Sequence, residues 1–212
     1  MNYGFFADRS VHIAVVDPSV GSDRRPILVA ADRHYFIGPD NGIFSYIYSA
    51  AREFLQVIHI TDDHYFLKPK SPTFQGRDIF APVAAWVAGG KDILNFGSVI
   101  SDYVNMPLPV PEVSGAKIRG EIIAIDRFGN AMSNIRESDL ERLVADKPER
   151  LTKVLLHGVD VPMKEFYAEA SDKALCAVMN SSGYLEFFVN RGSASSAFSI
   201  SIGDRVEITL SA

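Results

Sequence analysis

The apolar positions of the first half of the chain fall into short runs cut by polar turns. Residues 11–16, Val-His-Ile-Ala-Val-Val, are rich in β-branched side chains and stop at Asp17-Pro18. That pattern predicts a buried strand ended by a breaker. Residues 26–31 and 35–37 predict two more strands, the second short. After the turn cluster Gly-Pro-Asp-Asn-Gly at 38–42, Ile43, Ile47 and Ala50 or Ala51 recur at helical spacing, which predicts a helix over about 43–54. Residues 56–60 read as a strand, 61–77 as a polar loop carrying Pro69 and Pro72, and 78–87 as a second helix stopped by Gly89-Gly90. This alternation predicts an α/β domain, a mixed or parallel sheet with flanking helices.

The pattern changes after Met-Pro-Leu-Pro-Val-Pro-Glu-Val at 106–113, where every second residue near the start is proline. Such a segment reads as a stiff, extended linker. Beyond it lie short strand candidates at 117–125, 131–135, 152–157, 173–179, 184–189 and 205–210, several separated by glycine turns. One helix is expected over about 138–145, with Ser138 as a possible cap. The expectation is a two-domain chain: α/β over 1–106, a linker at 107–113, and a small antiparallel β-barrel over 114–212.

Composition narrows the function classes. Among 212 residues, 21 Lys and Arg face 26 Asp and Glu, a net charge of −5. That balance argues against a nucleic-acid partner, which needs clustered cations. A single cysteine, Cys176, excludes an internal disulfide framework and a cysteine zinc site. The first residues lack the basic flank and apolar run of a signal peptide, and no run reaches the length of a membrane span. A cytoplasmic protein with no membrane partner is expected.

Generic motifs are missing: no Walker-type phosphate loop, no dinucleotide Gly-x-Gly-x-x-Gly and no Gly-x-Ser-x-Gly elbow. His59, Asp62, Asp63 and His64 cluster, but at no standard zinc spacing, so no metal is expected. Four polar turns interrupt apolar strands. In the first, Asp17 stands at the carboxyl end of a strand, where open α/β sheets bind ligands, and Arg24 is close enough to fold back on it; a surface salt bridge is the alternative. In the second, 38–42, Asp40 or Asn41 suits a helix cap. In the third, Thr-Phe-Gln-Gly-Arg-Asp at 73–78 offers backbone N–H groups to a polar ligand, or else Asp78 caps the helix with Arg77 in solvent. In the fourth, Asp126 and Asn130 flank a Phe-Gly bend, and an ordinary hairpin explains Gly129 better than it explains Asp126 and Phe128.

Together these turns resemble the S-adenosyl-L-methionine hydrolase (adenosine-forming) family, related to the fluorinase and chlorinase enzymes. The matching segments are 15–25, 38–42, 74–85, 125–135 (Ile-Asp-Arg-Phe-Gly-Asn-Ala-Met-Ser-Asn-Ile) and 180–186 (Asn-Ser-Ser-Gly-Tyr-Leu-Glu), in family order over nearly the whole chain. The resemblance implies an α/β domain followed by a β-barrel, a homotrimer, and substrate held between the first domain of one subunit and the barrel of its neighbour. It implies hydrolysis of S-adenosyl-L-methionine to adenosine and methionine by water attack at C5′, with the small molecule as substrate and no cofactor. Asp17 and Arg24 match two members of the family's Asp-Arg-His triad. Asp126 and Asn130 match residues that hold the two ends of the substrate, and Ser181, Glu186 and Val189 match a strand region lining the same pocket.

Three departures qualify the match. Gln75 stands where the hydrolases carry the triad His, and Ser19 replaces the usual Gly of Asp-Pro-Gly-Val-Gly. The family also opens with a strand ending in Thr-Asp-Phe-Gly, whose Asp holds the ribose hydroxyls; this sequence starts some tens of residues later along that pattern, so an amino-terminally truncated first domain is expected. Gln75 can hydrogen-bond water but cannot take its proton near neutral pH. Two alternatives therefore stand beside hydrolysis: a halide-using relative, and a nucleoside-binding homologue without turnover.

Overall fold

The protein is described by a computed structural model that covers residues 3–145 and 152–210. The chain divides into two compact units, residues 1–108 and 109–212.

The first unit contains β1 (Val11–Ile13), β2 (Pro26–Ala31), β3 (His34–Pro39), α1 (Ser45–Ala50), β4 (Leu55–Ile60), α2 (Ala81–Ala88) and β5 (Gly97–Ile100). Its sheet runs β1-β3-β2-β4-β5. Only β1 and β3 pair parallel; the tight turn at Asp32-Arg33 makes β2 and β3 an antiparallel hairpin, and β4 and β5 continue that sense. The sheet is thus mixed. Both faces of the central strands β2, β3 and β4 are covered, which is why these read as continuous apolar runs. Leu28, Ile37, Ile58 and Ile60 pack with Phe80, Val83 and Val87 on one face. Ile27, Val29, Phe36 and Val57 pack with Phe44, Ile47 and Tyr48 on the other.

Helix α1 is shorter than the 43–54 expected from apolar spacing. The reason is local. The Asp32 carboxylate accepts the backbone N–H groups of Arg52, Glu53 and Phe54, drawing them out of a helical path. Those bonds, Phe54 first, hold the Asp32 carboxyl below its ordinary range. The second helix begins earlier than expected, as a π-helical turn over Gly76–Phe80 that runs into α2. Strand β5 has partly exposed side chains and no run of apolar residues long enough to announce it.

The second unit contains β6 (Glu112–Ser114), β7 (Lys117–Ile125), β8 (Ala131–Arg136), α3 (Glu137–Val144), β9 (Thr152–Leu156), β10 (Val159–Val161), β11 (Leu175–Met179), β12 (Tyr184–Val189), α4 (Ala194–Phe198) and β13 (Arg205–Leu210). They form one antiparallel sheet, β10-β9-β13-β7-β8-β12-β11, with β6 also on β7. The sheet nearly closes. Just past β10, Pro162 O accepts from Ala177 N of β11 and Lys164 N donates to Ala177 O. Ile118, Ile122, Ile135, Leu185, Phe187, Val206 and Ile208 fill the interior. Helix α3 is not capped by Ser138; the Asp139 carboxylate accepts the N–H of Arg136 instead.

Phe187 is wholly buried in this interior. Phe187→Ala should destabilise the protein by about 3–5 kcal/mol in denaturant unfolding. A loss below about 1 kcal/mol would mean that the barrel core is not packed as described.

Candidate functional site

In the first unit two loops, one carrying both Asp17 and Arg24 and the other carrying Gln75, bring these three residues together. Arg24 Nε donates to both Asp17 oxygens at 3.0 and 2.9 Å, and Arg24 Nη2 donates to Asp17 Oδ2 as well. The same Nη2 donates to Gln75 Oε1 at 2.7 Å. The pair is buried, with 7% of the Arg24 side chain and 5% of Asp17 exposed. The guanidinium carbon lies 5.4 Å from the centroid of Phe80, which is wholly buried. Ser19, where the family carries Gly, adds a contact to Asp17 Oδ1 at 3.3 Å.

Local sequence explains how the loops meet. Gly21 has φ of +87° and faces the Pro72 carbonyl, which a Cβ would approach to 3.2 Å. A side chain there would push the loop holding Asp17 and Arg24 away from the one holding Gln75. The π-helical turn at Gly76–Phe80 follows Gln75 directly and sets its direction.

Two donors of this cluster stay free. Arg24 Nη1 is buried with no hydrogen-bond partner among the described residues. Gln75 spends its oxygen on Arg24, which has only donors to offer, so its amide N–H groups are turned away from Arg24. The site therefore holds one fixed carboxylate and two unused kinds of donor, the equipment for orienting a small acceptor such as water.

The other polar turns divide between anchoring and display. Asp40 is no helix cap: Oδ2 accepts Arg25 Nε and Nη2 at 3.0 and 2.7 Å, and Oδ1 accepts Val104 N at 2.8 Å. Asn41 accepts from Ile43 N through its side-chain oxygen and donates to Val16 O at 2.8 Å. Asp78 is not a cap either. Its buried carboxylate accepts Arg77 Nε at 2.6 Å and Ser71 N at 2.7 Å, and these bonds, Arg77 first, hold it below its ordinary range. Arg77, expected in solvent, is indeed exposed, with 52% of its side chain accessible, and lies 4.7 Å over the ring of Phe74. In the His59–His64 cluster, Asp62 caps a short turn by accepting His64 N. Among the described residues no group of three His, Cys, Asp or Glu is placed to hold a metal.

In the second unit a cleft of about 420 Å³ is lined by Phe128, Asn130, Tyr167, Val189 and the turn 190–192. The β7–β8 hairpin loop supplies its upper edge. Asp126 Oδ1 accepts Phe128 N and Asn130 N, and Oδ2 accepts Asn130 Nδ2 at 3.2 Å. Asp126 is thus the residue that shapes the loop, a role the hairpin pattern alone did not assign it. It leaves Phe128 78% exposed over the cleft. Gly129, at φ +84°, sits where a Cβ would collide with Ser193 Oγ. Glu186 is buried on β12 and accepts Tyr167 O–H at 2.8 Å and Asn180 Nδ2 at 3.0 Å. Burial first, then the bond to Glu186 and the charges of Glu186 and Asp126, push the Tyr167 phenol up to about 12. Ser181 is apart, in the exposed turn before β12, and does not line the cleft.

Tyr167 and Phe80 escaped the sequence reading. Tyr167 sits in a short 3-10 turn with no periodic pattern, and Phe80 reads as one more core residue of an apolar helix. Neither carries a local signal of its contact.

Comparison with known proteins adds an independent line. Residues 1–97 match the SAM hydroxide adenosyltransferase N-terminal domain and residues 120–207 the corresponding C-terminal domain. The chain is 33% identical to the (R)-S-adenosyl-L-methionine hydrolase of Salinispora tropica, over 94% of this chain and 75% of that protein. It is 28% identical to the fluorinase of an Actinoplanes species, over 85% of this chain and 62% of that protein. Among solved structures, an uncharacterized conserved protein from Thermotoga maritima superposes with a TM-score of 0.84 at 30% identity, covering 96% of this chain and 78% of that one.

The Tyr167 shift sets a pH dependence. Its folded pKa, about 12, lies above the ordinary phenol value near 10. The stability linked to it is complete below pH ~10 and is lost as pH rises towards 12. Tyr167→Phe should flatten that alkaline loss in thermal melts taken between pH 9 and about 11.5. Parallel losses in both proteins would contradict the assignment.

Proposed function

The chain belongs to the SAM hydroxide adenosyltransferase family, and on that premise we propose that Asp17, Arg24 and Gln75 form its catalytic site. The reaction is hydrolysis of S-adenosyl-L-methionine to adenosine and L-methionine. The oxygen of water bonds to C5′, the C5′–S bond breaks, and its electron pair stays on sulfur as a neutral thioether. No general acid is needed for that leaving group. What the site must do is orient water in line with the bond and accept its proton.

The observation that carries this reading is the convergence of Asp17, Arg24 and Gln75 from two loops, with Arg24 Nη1 left without a partner among the described residues. Asp17 accepts the proton of the attacking water. Arg24 aims Asp17 through hydrogen bonds from Nε and Nη2. Gln75, in place of His, orients the water by donating to it and takes no proton. The domains are read as 1–106 and 114–212 with a linker at 107–113, the last two residues of which open β6. The assembly is read as a homotrimer in which Asp126, Asn130, Glu186 and Val189 of a neighbouring subunit complete the substrate pocket. The exposed Phe128 ring suits an adenine face, and the Glu186–Tyr167–Asn180 group suits a polar substrate end. A second reading, a halide in place of water, is favoured by Gln75 and by the fluorinase likeness.

The test is product analysis with each sulfur epimer of S-adenosylmethionine, since the Salinispora relative is named for the R form. Adenosine and methionine are expected. Asp17→Asn should lower the rate by ~10²–10⁴-fold. Gln75→His should raise it by ~10-fold or more and add an acid limb near the imidazole pKa, about 6.5, that the parent lacks. A 5′-halo-5′-deoxyadenosine formed in halide buffer would support the second reading, and no product from either epimer would overturn both.

A further inference from the structure

Asp17 and Arg24 are each flanked on the outside by a residue tied to the same short turn. Val16, just before Asp17, has its carbonyl held by Asn41 Nδ2 at 2.8 Å. Arg25, just after Arg24, has its carbonyl held by Asp40 N at 2.9 Å and its guanidinium held by Asp40 Oδ2. Arg25 is fixed from a third direction, donating to Asp102 Oδ1 at 2.8 Å and to Asp102 O at 2.7 Å. The two groups of the ion pair therefore stand one residue inside two anchors, and consecutive residues of one turn supply both.

We propose that Asp40 and Asn41 are positioning residues: they clamp the two ends of the 16–25 loop and so fix the distance and angle at which Asp17 meets Arg24. The proposal rests on the catalytic reading of Asp17 and Arg24 given above. Neither Asp40 nor Asn41 bonds to Asp17, Arg24 or Gln75 directly, so their effect is through the backbone. Asp40 also ties the loop to the 102–106 segment, because its other oxygen accepts Val104 N while Met106 N donates to Ser45 Oγ next to the same turn. A displacement of an ångström in a catalytic group can cost ~10²-fold in rate, and an unclamped loop permits that much.

Asn41 separates the clamp from the turn. Its oxygen serves the turn by accepting Ile43 N at 3.2 Å, and its nitrogen serves the clamp. Asn41→Asp keeps the acceptor and loses the donor; Asn41→Ala loses both. If the clamp positions the site, both variants should lose ~10–100-fold in kcat with KM within about threefold of the parent, and Asn41→Asp should keep the parent Tm. Asp40→Asn, which keeps an acceptor for Val104 but not the charge facing Arg25, should act in the same direction. Amide hydrogen exchange over residues 16–25, read by mass spectrometry, should quicken in each variant. Parent-like kcat in Asn41→Asp overturns the proposal, as does unchanged exchange in that loop. A parent enzyme without turnover would sink the hydrolase reading alone, and the exchange measurement would still decide whether Asp40 and Asn41 hold the loop.

Discussion

A guanidinium and a carboxylate taken out of water together each give up several kcal/mol of hydration, and such a pair is tolerable only when geometry and further hydrogen bonds are close to ideal. Arg24 and Asp17 are such a pair, both more than nine-tenths buried. Much of the first unit around them follows from that constraint. Asp17 is met from one side by the Nε and Nη2 edge of Arg24, with Ser19 near its first oxygen. Phe80 lies against the guanidinium, and Gln75 takes a further N–H. Gly21 lets the two loops close up. Among the described residues, what the surroundings leave unsatisfied is Arg24 Nη1. An orphaned buried donor of a cation marks a place for an acceptor, and here it lies beside the proposed proton acceptor.

The chemistry asks little more than this. A sulfonium leaves without help, so a site built on one well-held carboxylate has enough proton-accepting capacity for the step. On the proposed reading, Gln75 alters how water is held rather than whether the carboxylate is in place. Its amide is oriented by Arg24, since a guanidinium offers only donors and the amide must turn its oxygen inward. In the second unit, Asp126 spends its oxygens on its own hairpin loop and Glu186 spends its two on Tyr167 and Asn180. Those carboxylates shape a cleft and keep a phenol protonated.

The elements that were legible in the sequence are those with a strong local period. Strands β2, β4, β7, β12 and β13 and helix α2 lie close to where runs, alternation and glycine stops put them. The mixed sheet was expected as one of two options, but its antiparallel majority depends on the Asp32-Arg33 turn, a detail that apolar patterning does not encode. The early end of α1 was hidden because Asp32 is some twenty residues away in sequence from the N–H groups it captures. The meeting of Asp17, Arg24 and Gln75 rested on family resemblance, since sequence spacing gives no reason for residue 75 to approach residue 24. Asp40, Asn41 and Asp78 read locally as helix caps, the commonest use of such residues; Asp40 and Asp78 instead hold Val104 and Ser71 backbone, while Asn41 serves its own turn at Ile43 N and also holds Val16 O.

The central claim is that water, held beside the Asp17–Arg24 pair, attacks C5′ of S-adenosyl-L-methionine. Turnover in water enriched in oxygen-18, followed by mass spectrometry of both products, tests it most directly. The account predicts one heavy oxygen in the 5′-hydroxyl of adenosine, none in methionine, and loss of that product in Asp17→Asn. Unlabelled adenosine, or label incorporated equally well by Asp17→Asn, would contradict it.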